Sequence, residues 1–155
     1  MKTSKLAPVA LALLVAAGAC GDNDHALSRH EFLGKANAIC GEANEKVRAL
    51  GPEPPILTDE QADWIEQLTK IDRTATARLD ALQPPDAAKR PIASMLSAFE
   101  RGLGKGDEIA RASRTGDDAA FRSSVDAALN SLTQAQASAA AYGLNECARL
   151  GRVVR

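Results

Sequence analysis

From Ser28 to Leu50 the chain reads SRHEFLGKANAICGEANEKVRAL, a sequence with a helix start, a helix period and a helix stop. Ser28-Arg29-His30-Glu31 has the form of a capping box, in which the serine hydroxyl accepts from the Glu31 amide and the glutamate reaches back. Leu33, Ala36, Cys40, Ala43, Val47 and Leu50 then recur at alternating spacings of three and four, with Phe32 and Ile39 beside the stripe. That spacing marks one apolar face of an α-helix, and Gly51-Pro52 ends it.

Three further segments repeat the pattern. After the stiff Pro52-Glu53-Pro54-Pro55 loop, Thr58-Asp59-Glu60-Gln61 is a second capping box, followed by Trp64, Leu68, Ile71, Ala75, Leu79 and Leu82. Pro84-Pro85 stop that helix, and Asp86 is placed to cap a third with Ile92, Leu96, Phe99, Leu103, Gly106 and Ala110 on its stripe. Pro91 either kinks this helix or marks its first turn. Gly116 closes it, and Asp117 or Asp118 caps a fourth that runs through Phe121, Val125, Ala128, Leu132, Ala135, Ala139 and Tyr142. No segment alternates with period two. The fold class expected is therefore all-α, an antiparallel up-down-up-down four-helix bundle with helices near 28–50, 58–83, 86–115 and 117–142. All five aromatics, Phe32, Trp64, Phe99, Phe121 and Tyr142, fall on or beside the stripes and are expected in the core.

The 155 residues, 45% hydrophobic and 3% aromatic, suffice for one modest domain at 28–155. A net charge of −1 gives no basic surplus for nucleic acid, and the apolar content excludes general disorder. Lys2 and Lys5 precede an apolar run from Leu6 to Ala19 that contains Pro8 and ends in small residues, which reads as an export signal over 1–19. The run is shorter than the roughly 20 residues that span a bilayer as a helix.

Cleavage after Ala19 leaves net charge −3, and residues 20–27 are a polar tether that reaches at most about 26–29 Å. Ala17-Gly18-Ala19 also satisfies the rule for ordinary secretory cleavage, which would release a soluble protein with three cysteines. Lipidation of Cys20 would instead leave Cys40 and Cys147 as one pair. An up-down-up-down order returns the chain end towards the first helix, so a Cys40–Cys147 disulfide is expected. A redox-active pair would need a Cys-x-x-Cys spacing that the chain lacks.

The segment Ala17-Gly18-Ala19-Cys20-Gly21 resembles the lipobox of bacterial lipoproteins, with Ala17 where leucine is more usual. The resemblance implies cleavage before Cys20, a diacylglyceryl thioether on its sulfur and an anchor on the outer side of a cell membrane. Together with Phe32 to Cys40 and Ala141 to Cys147, the chain is similar to small Ala-rich helical lipoproteins of high-GC actinobacteria with one cysteine near each end of the domain. That similarity implies a disulfide-closed helical domain, and no activity comes with it.

Motifs for chemistry are sparse. Gly102, Gly104 and Gly106 interrupt the third stripe; they lack the strand and the Lys-Ser/Thr of a phosphate loop, and they mark a kink or close helix contact, or a flexible or recognition segment. His25 and His30 do not share a helix face, and no Glu-x-x-His occurs, so no metal site is expected. There is no nucleophile elbow or zincin helix, and Arg149, Arg152 and Arg155 read as a solvated tail. Without cofactor or catalytic set, the expected function is a non-enzymatic binding module that meets an envelope protein or wall component through an exposed apolar patch. A carrier of a small apolar ligand would instead require a cavity of at least about 300 Å³ between the helices.

Overall fold

A computed structural model describes residues 26–151, within which every regular element is helical. The signal segment, Cys20, His25, Arg152 and Arg155 lie outside the described residues. The helices are α1 (Arg29–Ala49), α2 (Asp59–Asp80), α3 (Lys89–Leu103), α4 (Gly106–Thr115) and α5 (Asp118–Tyr142), with short 3₁₀ turns at Asp86–Ala88 and Cys147–Arg149. They form four helical arms, the third broken into α3 and α4.

Local chemistry accounts for most boundaries. The Ser28 hydroxyl accepts from the Glu31 amide at 3.3 Å while the Ser28 amide donates to Glu31 Oε2 at 3.0 Å, a complete capping box. Asp117 caps α5 by accepting from the Ala120 amide, and Gly116 and Gly143 end α4 and α5 in the left-handed region that favours glycine. Pro91 sits in the first turn of α3, where its missing N–H has no intrahelical partner to lose.

Asp86 does not cap α3 as expected: no side chain caps that helix, and the Asp86 carboxylate pairs with Lys89 at 2.8 Å. The second capping box is also only half made. Thr58 accepts from the Gln61 amide, but the Gln61 side chain turns inwards and is fully buried.

The third arm breaks at Gly104-Lys105 because both sides of the break are held by neighbours. Gly106 lies so close to α2 that a Cβ would overlap the Thr69 side chain, and a Cβ on Gly102 would stand 2.6 Å from Leu132 Cγ of α5. Arg73 donates to the Leu103 carbonyl, freed at the end of α3, and pairs with Asp107 in the first turn of α4 at 3.0 Å. Gly106→Ala is expected to destabilise by about 2 kcal/mol through overpacking, and Gly104→Ala by less than about 1 kcal/mol because Gly104 is exposed and helical. Urea denaturation of the two variants checks this; equal losses would contradict it.

The core has two parts. The larger joins α1, α2, α3 and α5 around Phe32, Leu79, Phe99 and Leu144, and includes the Cys40–Cys147 disulfide, with S–S 2.07 Å and Cα–Cα 5.0 Å. Asn37 and Asn44 stitch the same chain end to α1: Asn37 Oδ1 accepts from the Glu146 amide, and Asn44 Nδ2 donates to the Glu146 carbonyl. The smaller part gathers Ala62, Trp64, Ile65 and Ala110, with Leu68, Ile109 and Phe121 at its edge.

Candidate functional site

α2 packs against α1, α3 and α4. Its apolar residues Trp64, Ile65, Ala75 and Leu79 are buried, but so are Gln61, Thr69, Asp72 and Thr76, while Leu68 and Ile71 are only half-buried. The first half of α5 is the opposite case. Phe121 and Val125 remain half-buried and Leu129 is 52% exposed, because no element among the described residues covers that side of the helix. Between these two surfaces lies a groove of about 540 Å³, walled by Ile65 and Leu68 of α2, Leu103 of α3, Ile109 of α4, and Phe121, Val125, Ala128 and Leu132 of α5. Ile56 and Glu53 stand at its rim. A smaller cavity of about 150 Å³ lies against Ile39, Ala43 and Ile71 of α1 and α2.

Two polar groups in this apolar lining have unmet hydrogen bonds. Trp64 is 6% exposed and Asp72 1% exposed, and neither Trp64 Nε1 nor Asp72 Oδ1 has a partner among the described residues. The other carboxylate oxygen, Asp72 Oδ2, accepts from the Gly151 amide at 2.9 Å. Burial pushes the Asp72 carboxyl up to about 7, and the Gly151 hydrogen bond only partly opposes this. A buried polar atom left unpaired costs on the order of 1–3 kcal/mol, so an arrangement with two in one groove is held against stability.

The rim is built by Gln61. Its Oε1 accepts from the Leu57 amide at 2.8 Å and from the Ser113 hydroxyl at 2.9 Å, and its Nε2 donates to Glu53 at 3.0 Å. The network ties the loop before α2 to α4 and holds Leu57 in the left-handed region at φ 60°. Gln61→Ala leaves the part-buried Leu57 amide and the buried Ser113 hydroxyl unpaired and is expected to cost about 2–3 kcal/mol. Denaturation together with proteolysis of residues 51–58 checks it, and an unchanged midpoint with an intact loop would refute the role assigned to Gln61.

Of the residues singled out from the sequence, Gly102 lines the groove, Gly106 sits buried against Thr69, and Gly104 is exposed. Cys40 and Cys147 are bonded and lie in the larger core, apart from the groove lining. His30 is exposed on α1. Among the described residues no group of three or more His, Cys, Asp or Glu is placed to hold a metal ion, and no helix is long and apolar enough to cross a membrane. Sequence reasoning missed Asp72, since a lone aspartate off the apolar stripe reads as solvated. The available signal was Thr69-Asp72-Thr76, a polar series at helical spacing next to the stripe, which shares its period but not its hydrophobicity. Compared with known proteins, the chain matches no family model, no curated protein and no solved structure.

Proposed function

We propose that the protein is a membrane-anchored envelope lipoprotein, held by a lipid on Cys20, whose domain is a non-enzymatic binding module that takes a small apolar or amphipathic molecule into the groove between α2, α4 and α5. The observation that carries the reading is the groove itself: about 540 Å³, within the roughly 300–1,000 Å³ of small-ligand sites, with largely apolar walls and two unpaired polar atoms buried among its lining residues. The export signal and the lipobox-like cysteine of the sequence support the anchor, and the short tether would keep the groove near the membrane surface, where apolar molecules are available. The helical arms fit an antiparallel up-down-up-down order. The Leu27 amide bonds the Gln83 carbonyl, so the start of α1 meets the end of α2, and Arg114 late in α4 pairs with Asp63 and Glu66 early in α2.

Exposed Ile56 and Leu129 beside the groove favour a second reading, in which an apolar side chain of an envelope protein or wall component seats there. The two are separated with the full chain isolated from membranes. Its intact mass is expected to match residues 20–155 plus acyl chains. The neutral dye phenylnaphthylamine is expected to bind saturably, one per chain, with quenching of Trp64, the single tryptophan. Val125→Phe, which narrows the groove, should weaken that uptake. Absence of saturable uptake would overturn the small-ligand reading, and an unmodified mass would overturn the anchor.

A further inference from the structure

We infer that the ligand of this groove is a cationic amphiphile, an apolar body with a protonated amine head, and that Asp72 is the residue that recognises the head. The inference rests on the groove being a ligand site and assigns the chemical class of its occupant.

Four observations lead to it. First, Asp72 is 1% exposed, lines the groove, and leaves Oδ1 without a partner among the described residues while Gly151 holds Oδ2. The carboxylate is thus oriented by one hydrogen bond, and its second oxygen, itself out of solvent contact, is left unpaired, so that an amine head reaches it by displacing the side chains that cover it. Second, every charged residue among the described residues of the lining is acidic, Glu53 at the rim and Asp72 within, and Glu53 is already engaged by Gln61. Arg73, the adjacent cation on α2, is occupied by Asp107 and the Leu103 carbonyl, so it does not neutralise Asp72.

Third, the balance of charge selects the head. An alcohol could donate to Oδ1, but it would leave a buried carboxylate uncompensated; an ammonium both donates and neutralises, and charge-assisted hydrogen bonds are roughly twice as strong as neutral ones. A fatty carboxylate would set like charges together. Fourth, Trp64 lies eight residues before Asp72, about 12 Å along the α2 axis, with Ile65 and Leu68 of the lining between them. An elongated apolar body therefore lies along α2, its head at Asp72 and its far end beside the indole.

The test uses the full chain and three probes of one chain length, decylamine, decanol and decanoate, each below its micelle concentration, with Trp64 fluorescence as the readout at pH 8. Decylamine is expected to bind at least about tenfold more tightly than decanol, and decanoate more weakly than either. Asp72→Asn keeps the acceptor for Gly151, removes the charge, and should bring decylamine to within about twofold of decanol. Equal binding of amine and alcohol by the unmodified chain, tighter binding of decanoate, or an amine preference that survives in Asp72→Asn would overturn the inference. If phenylnaphthylamine is taken up and the amine preference is absent, the groove remains a ligand site and only the assignment of the head falls. If neither the dye nor any probe binds, both readings fall.

Discussion

Reduction of the Cys40–Cys147 disulfide is expected to lower the free energy of unfolding by about 5 kcal/mol, enough to remove much of the stability of a domain this size. The bond closes a loop with a sequence separation of 107, and loop-closure entropy rises with the logarithm of that length. Both cysteines are fully buried in the larger core, so their thiols would also have to pack without the bond. The expected loss is concentrated where α1 meets the chain end. Beyond the disulfide, that junction relies on a few hydrogen bonds, chiefly Asn37 and Asn44 to residues 143–146, and on the Phe32–Tyr142 ring contact at 6.1 Å. Urea denaturation with and without reductant measures it. The reduced chain should show a lower midpoint and a larger dependence on denaturant, since its unfolded state exposes more surface. A shift of less than about 1 kcal/mol would refute the entropic account.

The second large effect is a fall in stability as pH rises from about 4 to 7, due to Asp72. Its carboxyl titrates near 7 in the folded chain against an ordinary 3.8 when exposed. Between those values the folded state holds a proton that the unfolded state has released, so raising the pH favours unfolding. The full cost, reached above pH 7, is on the order of 4 kcal/mol. Asp72→Asn removes the titration and keeps an oxygen for the Gly151 amide, but it places an unpaired NH₂ where Oδ1 stood, which costs on the order of 2 kcal/mol. The variant is therefore expected to be more stable than the unmodified chain by about 2 kcal/mol at pH 8, with a flat profile between pH 5 and 8.

Exposed carboxylates work in the opposite sense. Hydrogen bonds and charge pairs lower Glu31, Glu42, Glu66, Asp86 and Glu108, so their contribution is present at neutral pH and is lost as the pH falls through the acidic range. The stability maximum is expected between these two regimes, near pH 5. Denaturation midpoints measured from pH 3 to 9 locate it, and a maximum at or above pH 8 would show that Asp72 is not buried as a carboxylate.

A buried acid that destabilises the domain at neutral pH fits a residue kept for binding and not for stability. Replacing Asp72 by asparagine should raise stability and remove the amine preference together, the opposite signs expected where a site is maintained for function.

How much of this was legible beforehand follows from what a linear pattern records. The helix starts at Ser28 and Asp117, the stops at Gly51, Gly116 and Gly143, and the placement of Pro91 in a first turn depend on groups within a few residues of each other, and the sequence contains all of them. The Cys40–Cys147 pairing was accessible because it rests on a short count and the order of the helices. The apolar stripes located most of the core but misjudged its centre on α1, where Phe32 and Ile39 are buried and Leu33 is not.

What only the tertiary structure decided is the second buried face of α2 and the side of α5 that no described element covers. A stripe tells which side of a helix water avoids; it carries no information about a second neighbour, and α2 acquires one when the third arm breaks at Gly104-Lys105 and lays α4 against it. That packing buries Gln61, Thr69 and Asp72, leaves Phe121 and Val125 half open, and so makes the groove. Local hydrogen bonds and hydrophobic period are properties of the chain, whereas which polar residues lose their water depends on where three other helices come to rest.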